Sequence, residues 1–292
     1  MDRRFARLLA LSVGVSLLIA GAALFIILFL RTGAPAGAEP GRRAGVQTIL
    51  VGGTDSDGTR TDTIMVCSVD TKNDTAAVMS IPRDTRAFME NGKVHKINAA
   101  HNKGIARMLT EVKNTVGFAP DRYCIVDYAA FAAVIDALGG VTVDVGMDMD
   151  YSDPAQGLEI HLKAGEQLLD GKKALQYMRF RSGYKDADLG RIRAQQKLLA
   201  AAAEKLASPR VLVLLFRLPG ILRQVETDLT AVEALRLGVG LLRAYRAGNL
   251  QICTLPGKAV GADYAADGEK TLKLVNERFN PYTKPIEALN IP

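Results

Sequence analysis

The hydrophobic positions of the chain begin with one long apolar run and continue as short alternating and helical patterns. The run extends from Leu8 to Leu30 without a charged residue. As a helix, at about 1.5 Å per residue, it exceeds the roughly 30 Å hydrocarbon core of a bilayer. Three arginines precede it and Arg31 follows it, which favours a cytoplasmic N-terminus. The alternative is a cleaved signal peptide, whose apolar region is only about 7–15 residues long. The pattern predicts a single-pass signal anchor in the cell membrane.

The remainder of the chain is predicted to be a tethered extracytoplasmic domain. Residues 31–45 are rich in Gly, Pro and Ala and lack periodicity, as in flexible tethers. The rest is long enough for one large domain with its own core. We therefore expect a cytoplasmic tail at 1–7, a transmembrane anchor at 8–30, a tether at 31–45 and the extracytoplasmic domain at 46–292.

Strand and helix patterns alternate along this domain. Runs of apolar and β-branched residues predict strands at 46–51, 63–69, 75–81, 123–126, 141–145 and 250–255. Helical spacing predicts helices at 101–116, 128–138, 189–206 and 268–278, with two more across 209–247. Such alternation predicts an α/β fold, with α+β as the alternative, in which a central mixed sheet is flanked by helices.

Charge and cysteine usage narrow the classes of function. The formal net charge is +6, and a good part of this excess belongs to the arginines of the anchor, so nucleic acid is not an expected partner. The three cysteines occur in strand-like apolar contexts, which favours buried free thiols over a disulfide framework. The three histidines have no zinc-ligand spacing with any cysteine.

Four short segments concentrate charge in ways that a core does not explain. They are the glycine-rich loop at 52–63, the pair Arg83-Asp84, the segment Tyr177-Met178-Arg179-Phe180-Arg181, and the helix start at 188–196. If the third segment is extended, Tyr177, Arg179 and Arg181 share one face. In the fourth, Arg191 and Gln195 lie four apart on one helical stripe, whereas Arg193 points elsewhere. Each segment also fits an ordinary role: a solvated turn, a charged strand end, a protected sheet edge or a helix cap.

Together these side chains are the ligand types of a metal-bound diphosphate. Guanidinium groups bind phosphate oxygens with two parallel hydrogen bonds. Carboxylates supply one or two ligands of an octahedral Mg²⁺, and phosphates and water supply the others. Residue types alone do not show that the four segments meet.

Six sequence blocks occur in a collinear order between about residues 47 and 206. They are G-G-T-D-S-D-G-T-R-T-D-T, S-I-P-R-D, K-I-N-A-A, D-A-L-G-G-V-T-V-D-V, L-D-G-K-K-A-L-Q-Y-M-R-F-R and D-L-G-R-I-R-A-Q-Q. In content and order they resemble the LytR-CpsA-Psr (LCP) family. The apolar run before them fits that family too, and the residues after 207 resemble it more loosely.

The resemblance implies an extracytoplasmic, Mg²⁺-dependent phosphotransferase of cell wall biogenesis. Such enzymes move a glycopolymer, for example teichoic acid or capsule, from an undecaprenyl-diphosphate carrier to peptidoglycan. The expected partners are this lipid-linked glycopolymer, peptidoglycan and the lipid bilayer. The lipid needs an apolar slot, for which Phe131, Val134 and Leu138 are candidates, although core packing is the simpler interpretation of that stripe.

The same resemblance implies the site residues. Metal ligands fall on Asp55 and Asp62. Diphosphate-binding residues fall on Arg60, Arg83, Arg179, Arg181, Asp188, Arg191 and Gln195. Catalytic roles fall on Asp62, Asp84 and Arg83, with Asp62 or Asp84 as a base and Asp84 as a residue that orients Arg83. The sequence departs from the family pattern at Ala194, where arginine is common, and at Asp57, where a small or basic residue is common.

Two alternatives remain open from the sequence. The same residues would serve a polyprenyl-diphosphate hydrolase in which water replaces the sugar hydroxyl. A non-catalytic membrane-bound regulator of the LytR attenuator type is the other alternative, although Asp55 and Asp62 are both present.

Overall fold

The structure is a computed structural model that describes residues 41–54, 61–89, 92–154, 157–180, 182–184, 188–206, 220 and 225–292. The predicted anchor and residues 31–40 of the predicted tether lie outside these ranges. Within them, no helix is long and apolar enough to cross a bilayer.

The strands of the described residues form one mixed sheet and several two-stranded ribbons. They are β1 (Val46–Thr54), β2 (Thr61–Asp70), β3 (Thr75–Ser80), β4 (Arg86–Phe88), β5 (Val94–Lys96), β6 (Arg122–Val126), β7 (Val141–Val145), β8 (Met149–Asp153), β9 (Leu158–Leu162), β10 (Gly165–Leu169), β11 (Glu226–Thr227), β12 (Leu250–Thr254), β13 (Gly257–Val260) and β14 (Asp263–Ala266). The sheet has the order β11-β6-β1-β2-β3-β12. Its β1–β6 and β3–β12 pairs are parallel, and its other pairs are antiparallel.

Most of the described helices lie where the sequence predicts them, and the first of the two helices expected across 209–247 lies outside the described residues except for residue 220. They are a 3₁₀ helix (Ile97–Lys103), α1 (Ile105–Val116), α2 (Tyr128–Ala137), α3 (Gly171–Arg179), α4 (Asp188–Leu206), α5 (Ala231–Arg246) and α6 (Gly268–Arg278). Side chains cap several starts: Asp127, Asp170 and Asp267 each accept a backbone N–H of the first turn. Thr230 and Glu233 form a capping box at α5.

Helices pack on both faces of the sheet because neighbouring residues of each strand point to opposite sides. Leu50, Val66 and Met79 lie opposite one another in the register and join a buried cluster with α1 and α6. Ile49 and Val69 belong to the other face, where they pack with α5. The mixed sheet flanked by helices is thus confirmed.

A third cluster lies beside the sheet. The ribbons β7–β10 and β8–β9 pack there with α3 and α4 through residues such as Val143, Ile160, Tyr177 and Leu198. Through this cluster, α2, α3 and α4 pack against one end of the sheet. It thereby positions the polar residues at the ends of these helices.

Two predicted elements differ in the structure. The helix expected at 101–116 is two helices, because Gly104 adopts a φ of 91° between them, a conformation that glycine tolerates best. The extended interpretation of Tyr177 to Arg179 is wrong: these residues form the last turn of α3. The Asp170 cap and the helical spacing of buried Ala174 and Tyr177 outweigh the alternation of charged and apolar residues.

Candidate functional site

A pocket of about 770 Å³ opens on the face of the sheet that carries Ile49. Its floor includes Val51, Gly53 and Thr63 at the adjacent ends of β1 and β2. Its walls come from α2, from the end of α3, from α4 and from the β8–β9 ribbon. The pocket therefore lies where the sheet meets the third cluster.

The polar lining centres on Asp62 of β2. Arg83 donates from Nη1 to Asp62 Oδ1 at 2.6 Å. Arg191 donates from Nη2 to the Asp62 backbone oxygen at 2.9 Å, and its Nη1 lies 3.8 Å from Asp62 Oδ2. Two guanidinium groups from distant parts of the chain thus flank one carboxylate.

The first turns of α4 present Arg191 and Gln195 to the pocket. Arg191 is 3% exposed and Gln195 is 5% exposed, and Gln195 donates from Nε2 to Thr63 Oγ1 at 3.0 Å. Arg193, between them in sequence, is exposed. The predicted division of this helix into an inward stripe and a solvated face is confirmed.

Arg179 reaches the pocket from the last residue of α3. Its guanidinium carbon lies 4.6 Å from the ring centroid of Tyr128, the first residue of α2. Tyr128 and Asp127 also line the pocket. Sequence reasoning missed both; the D-Y pair before an apolar helical stripe was the available signal.

Asp84 does not lie among the described lining residues, and its contacts fit the second of its two expected roles, the orientation of Arg83. Its Oδ1 accepts a hydrogen bond from Lys96 Nζ at 2.9 Å, and its Oδ2 lies 3.7 Å from Arg83 Nε. Lys96 also donates to the Ala262 backbone oxygen at 2.6 Å, and Asn98 N donates to the Arg83 carbonyl at 3.1 Å. Asp84 and the K-I-N block therefore hold the turn at Arg83 from the side that does not line the pocket.

The opposite part of the pocket is apolar. Phe131, Val134 and Leu138 of the α2 stripe line it, as do Leu198 and Leu199 of α4. Leu138 is buried, whereas Phe131 and Val134 are only partly buried. The simpler interpretation of this stripe as core alone is therefore wrong, because the same face of α2 borders the cavity.

Several expected site residues cannot be placed. Asp55, Arg60 and Arg181 lie outside the described residues, as does the side chain of Asp188 at the start of α4. Among the described residues, no group of three or more histidine, cysteine or acidic side chains could hold a metal ion. The structure brings together Asp62, Arg83, Arg179, Arg191 and Gln195.

This arrangement suits an amphipathic anion. In the described lining three guanidinium groups face two carboxylates, Asp62 and Asp127, so the polar part attracts negative charge. Arginine forks bind phosphate oxygens well in partly buried sites. The adjoining apolar walls would take a hydrocarbon group.

Comparison with known proteins places the chain in a family. The model of the LytR_cpsA_psr family matches residues 36–284. Over 184 residues, 61% of the chain, it is 36% identical to a protein of Bacillus subtilis (strain 168) named polyisoprenyl-teichoic acid–peptidoglycan teichoic acid transferase TagV. It is 34% identical over 188 residues, 63% of the chain, to "Regulatory protein MsrR" of Staphylococcus aureus (strain Mu50). The matches span 47% and 56% of these relatives, about half of their length.

Solved structures share the fold. The crystal structure of B. subtilis TagV superposes with a TM-score of 0.68 and 28% identity, over 80% of this chain and 97% of that one. A structure of TagT bound to LI-WTA gives a TM-score of 0.64 over 80% of this chain and 89% of that one, and its 23% identity indicates the fold alone. With the family match over most of its length, the chain belongs to the LytR-CpsA-Psr family.

Proposed function

We propose that this protein is a phosphotransferase that moves a glycopolymer from a polyprenyl-diphosphate carrier to peptidoglycan. One observation carries the proposal: a single pocket joins Asp62, three arginines and Gln195 to an apolar wall formed by α2 and α4. A lipid-linked diphosphate has the same two parts, an anionic group and a hydrocarbon chain. Family membership and the names of the teichoic acid transferases TagV and TagU among its relatives support the same reaction class.

The arginines would bind the diphosphate from several sides. Arg83 and Arg191 already flank Asp62, and Arg179 approaches from α3. Their guanidinium groups would neutralise the oxygens of both phosphates. Gln195, fixed to Thr63, would complete the polar wall. We include Arg60, Arg181 and Asp188 in this set on the family pattern.

The donor set also fits Mg²⁺. Asp62 is 24% exposed at the pocket, and a carboxylate has about four acceptor positions, so it can accept from Arg83 and ligate a cation. Mg²⁺ in phosphate sites needs only one or two carboxylates, because phosphates and water complete its shell. We propose Asp62 and Asp55 as these ligands. Bound there, the cation would supply charge neutralisation on the diphosphate.

The proposed reaction is an in-line displacement at phosphorus. A sugar hydroxyl of peptidoglycan attacks the phosphorus that carries the glycopolymer, and a new P–O bond forms. The bridging P–O bond breaks, and its oxygen and electron pair leave with the polyprenyl phosphate. The arginines stabilise this leaving group, and Asp62 is our candidate for accepting the hydroxyl proton. Asp84 acts through its contacts behind Arg83.

The lipid donor implies a location at the membrane. We propose that the apolar run at residues 8–30 anchors the chain in the cell membrane with residues 46–292 outside. The pocket would then lie near the outer leaflet that holds the lipid-linked donor.

The test is reconstitution with defined substrates. The full chain in detergent, with Mg²⁺, synthetic lipid-linked oligosaccharide and peptidoglycan fragments, should release polyprenyl phosphate and yield glycan bonded to peptidoglycan in equal amounts. Asp62→Ala should remove Mg²⁺-dependent turnover and leave the metal-free melting temperature nearly unchanged.

Two outcomes of this assay would contradict the proposed transfer reaction. Glycan phosphate released equally with and without peptidoglycan would identify a hydrolase. An absence of turnover with intact donor binding would identify a non-catalytic lipid-binding regulator. If Asp62→Ala kept wild-type activity under EDTA control, the metal assignment would be wrong.

A further inference from the structure

We propose that Tyr128 is a positioning residue that holds Arg179 in the orientation that receives the diphosphate. This inference rests on the proposed function, because it concerns the diphosphate end of the same pocket. Tyr128 was not among the residues suggested by sequence motifs. Its role follows from its contact with Arg179 and from the packing of the two helices that carry the pair.

The contact between the two side chains is a cation–π interaction. The guanidinium carbon of Arg179 lies 4.6 Å from the centroid of the Tyr128 ring, within the roughly 6 Å over which such pairs attract. Both residues line the pocket, and both are partly buried. Partial burial strengthens the attraction because less water screens it.

The helices that carry the pair have little freedom to separate. Gly171 at the start of α3 approaches α2 so closely that a β-carbon there would overlap the Ala132 carbonyl oxygen. The Gly171 N–H also donates to Asp136 Oδ1 of α2 at 2.8 Å. Tyr128 is therefore presented from a helix that is locked to the helix of Arg179.

Arg179 needs such a support. It is the last residue of α3, followed by Phe180 in an extended conformation, and a long side chain at a helix end has many rotamers to lose on binding. Arg83 and Arg191 are held by hydrogen bonds to Asp62. The face of Tyr128 holds Arg179 and leaves the edge of its guanidinium plane, with the N–H donors, for phosphate oxygens.

The test measures binding of inorganic pyrophosphate to the full chain in detergent with magnesium chloride present. Tyr128→Leu should weaken binding by roughly three- to thirtyfold, the range expected for loss of one cation–π contact. Tyr128→Phe keeps the ring face and should stay within about twofold of wild type. Tyr245→Leu, the same change on α5 away from the described lining, is the matched control and should bind as wild type does.

A double mutant separates positioning from general damage. In an Arg179→Ala background, Tyr128→Leu should cause no further loss, because the guanidinium that it positions is gone. An undiminished loss in that background, or equal losses in the Leu and Phe variants, would overturn the assignment. Wild-type affinity in Tyr128→Leu would overturn it as well.

The binding readout also separates this inference from the proposed reaction. If the wild-type chain bound pyrophosphate and Tyr128→Leu did not, but no glycan was transferred, the reaction would be refuted and the role of Tyr128 would stand. If glycan was transferred and Tyr128→Leu bound pyrophosphate like wild type, the proposed reaction would stand and the role of Tyr128 would be refuted. A wild-type chain that failed to bind pyrophosphate would overturn the role of Tyr128, whereas the proposed reaction would still be decided by the transfer assay.

Discussion

At the scale of single residues, local spacing located part of the site and tertiary contacts located the rest. Arg191 and Gln195 are four apart on a helix, so one inward stripe follows from the sequence, and both are buried at the pocket. Helical spacing did not mark Lys96 or Tyr128. The role of Lys96 depends on Asp84, twelve residues away, and that of Tyr128 depends on Arg179, which lies on another helix.

The two arginines of α4 provide a prediction with an internal control. Arg191→Ala should weaken pyrophosphate binding by roughly ten- to a hundredfold, since a buried charged donor beside Asp62 is lost. Arg193→Ala removes the same charge from an exposed position and should change affinity by less than about twofold. Calorimetric titration of both variants measures the difference, and equal losses would contradict the site.

The three partly buried thiols provide a pH-dependent prediction. Burial raises the pKa of Cys67 to about 12 and that of Cys253 to about 11, and burial also raises the pKa of Cys124. All three are free in the structure, as the sequence predicted. Because the thiol form persists below its pKa, native protein at pH 8 should react slowly with a disulfide reagent.

Unfolding should reverse this protection. In denaturant the pKa of each cysteine returns to about 8.5, and all three thiols should react rapidly. Absorbance during labelling, with and without denaturant, gives both rates. Fast labelling of the native protein would show that the thiols are accessible to solvent.

At the scale of elements, caps and periodicity predicted most helices and sheet strands. The structure differs from the predicted elements where a glycine or a helix cap has a stronger effect than the apolar pattern, as at Gly104 and at α3. Short ribbons such as β13–β14 were missed because their residues do not alternate: every residue of β13 is exposed. Two-stranded ribbons of this kind depend on packing against neighbouring elements for their stability.

Two glycine substitutions should have opposite effects on the free energy of unfolding, because one lies at the close approach of α2 and α3 and the other lies in open space on α5. Gly171→Ala would place a β-carbon against the Ala132 backbone and should lower the free energy of unfolding by about 1–3 kcal/mol. Gly238→Ala on α5 meets nothing within 4 Å and should raise it by up to about 1 kcal/mol. Urea titrations of the two variants test the pair, and a neutral Gly171→Ala would show that the helices can separate.

At the scale of the whole molecule, the anchor stays a prediction of the sequence, and protease accessibility tests it. Protease added to intact protoplasts should remove the domain at 46–292 and leave a short membrane-embedded fragment. Solubilised membranes provide the control in which every segment is accessible. Full protection in intact protoplasts would place the domain inside the cell.

The sequence by itself determined the class of the fold, most of the helices and the chemical types of the site. These properties are local: side-chain period, capping residues and ligand chemistry act within a few residues. The order of the six blocks sufficed to indicate the family, and the comparisons confirmed it.

Only the tertiary structure decided which of these groups meet. Arg191 binds the backbone of Asp62 across 129 residues, and the parallel pairs β1–β6 and β3–β12 join distant segments. It also assigned Asp84 to a place behind Arg83, and one face of α2 to the pocket. Such contacts depend on how whole faces of the sheet and helices pack, and local periodicity carries no information about which faces pair.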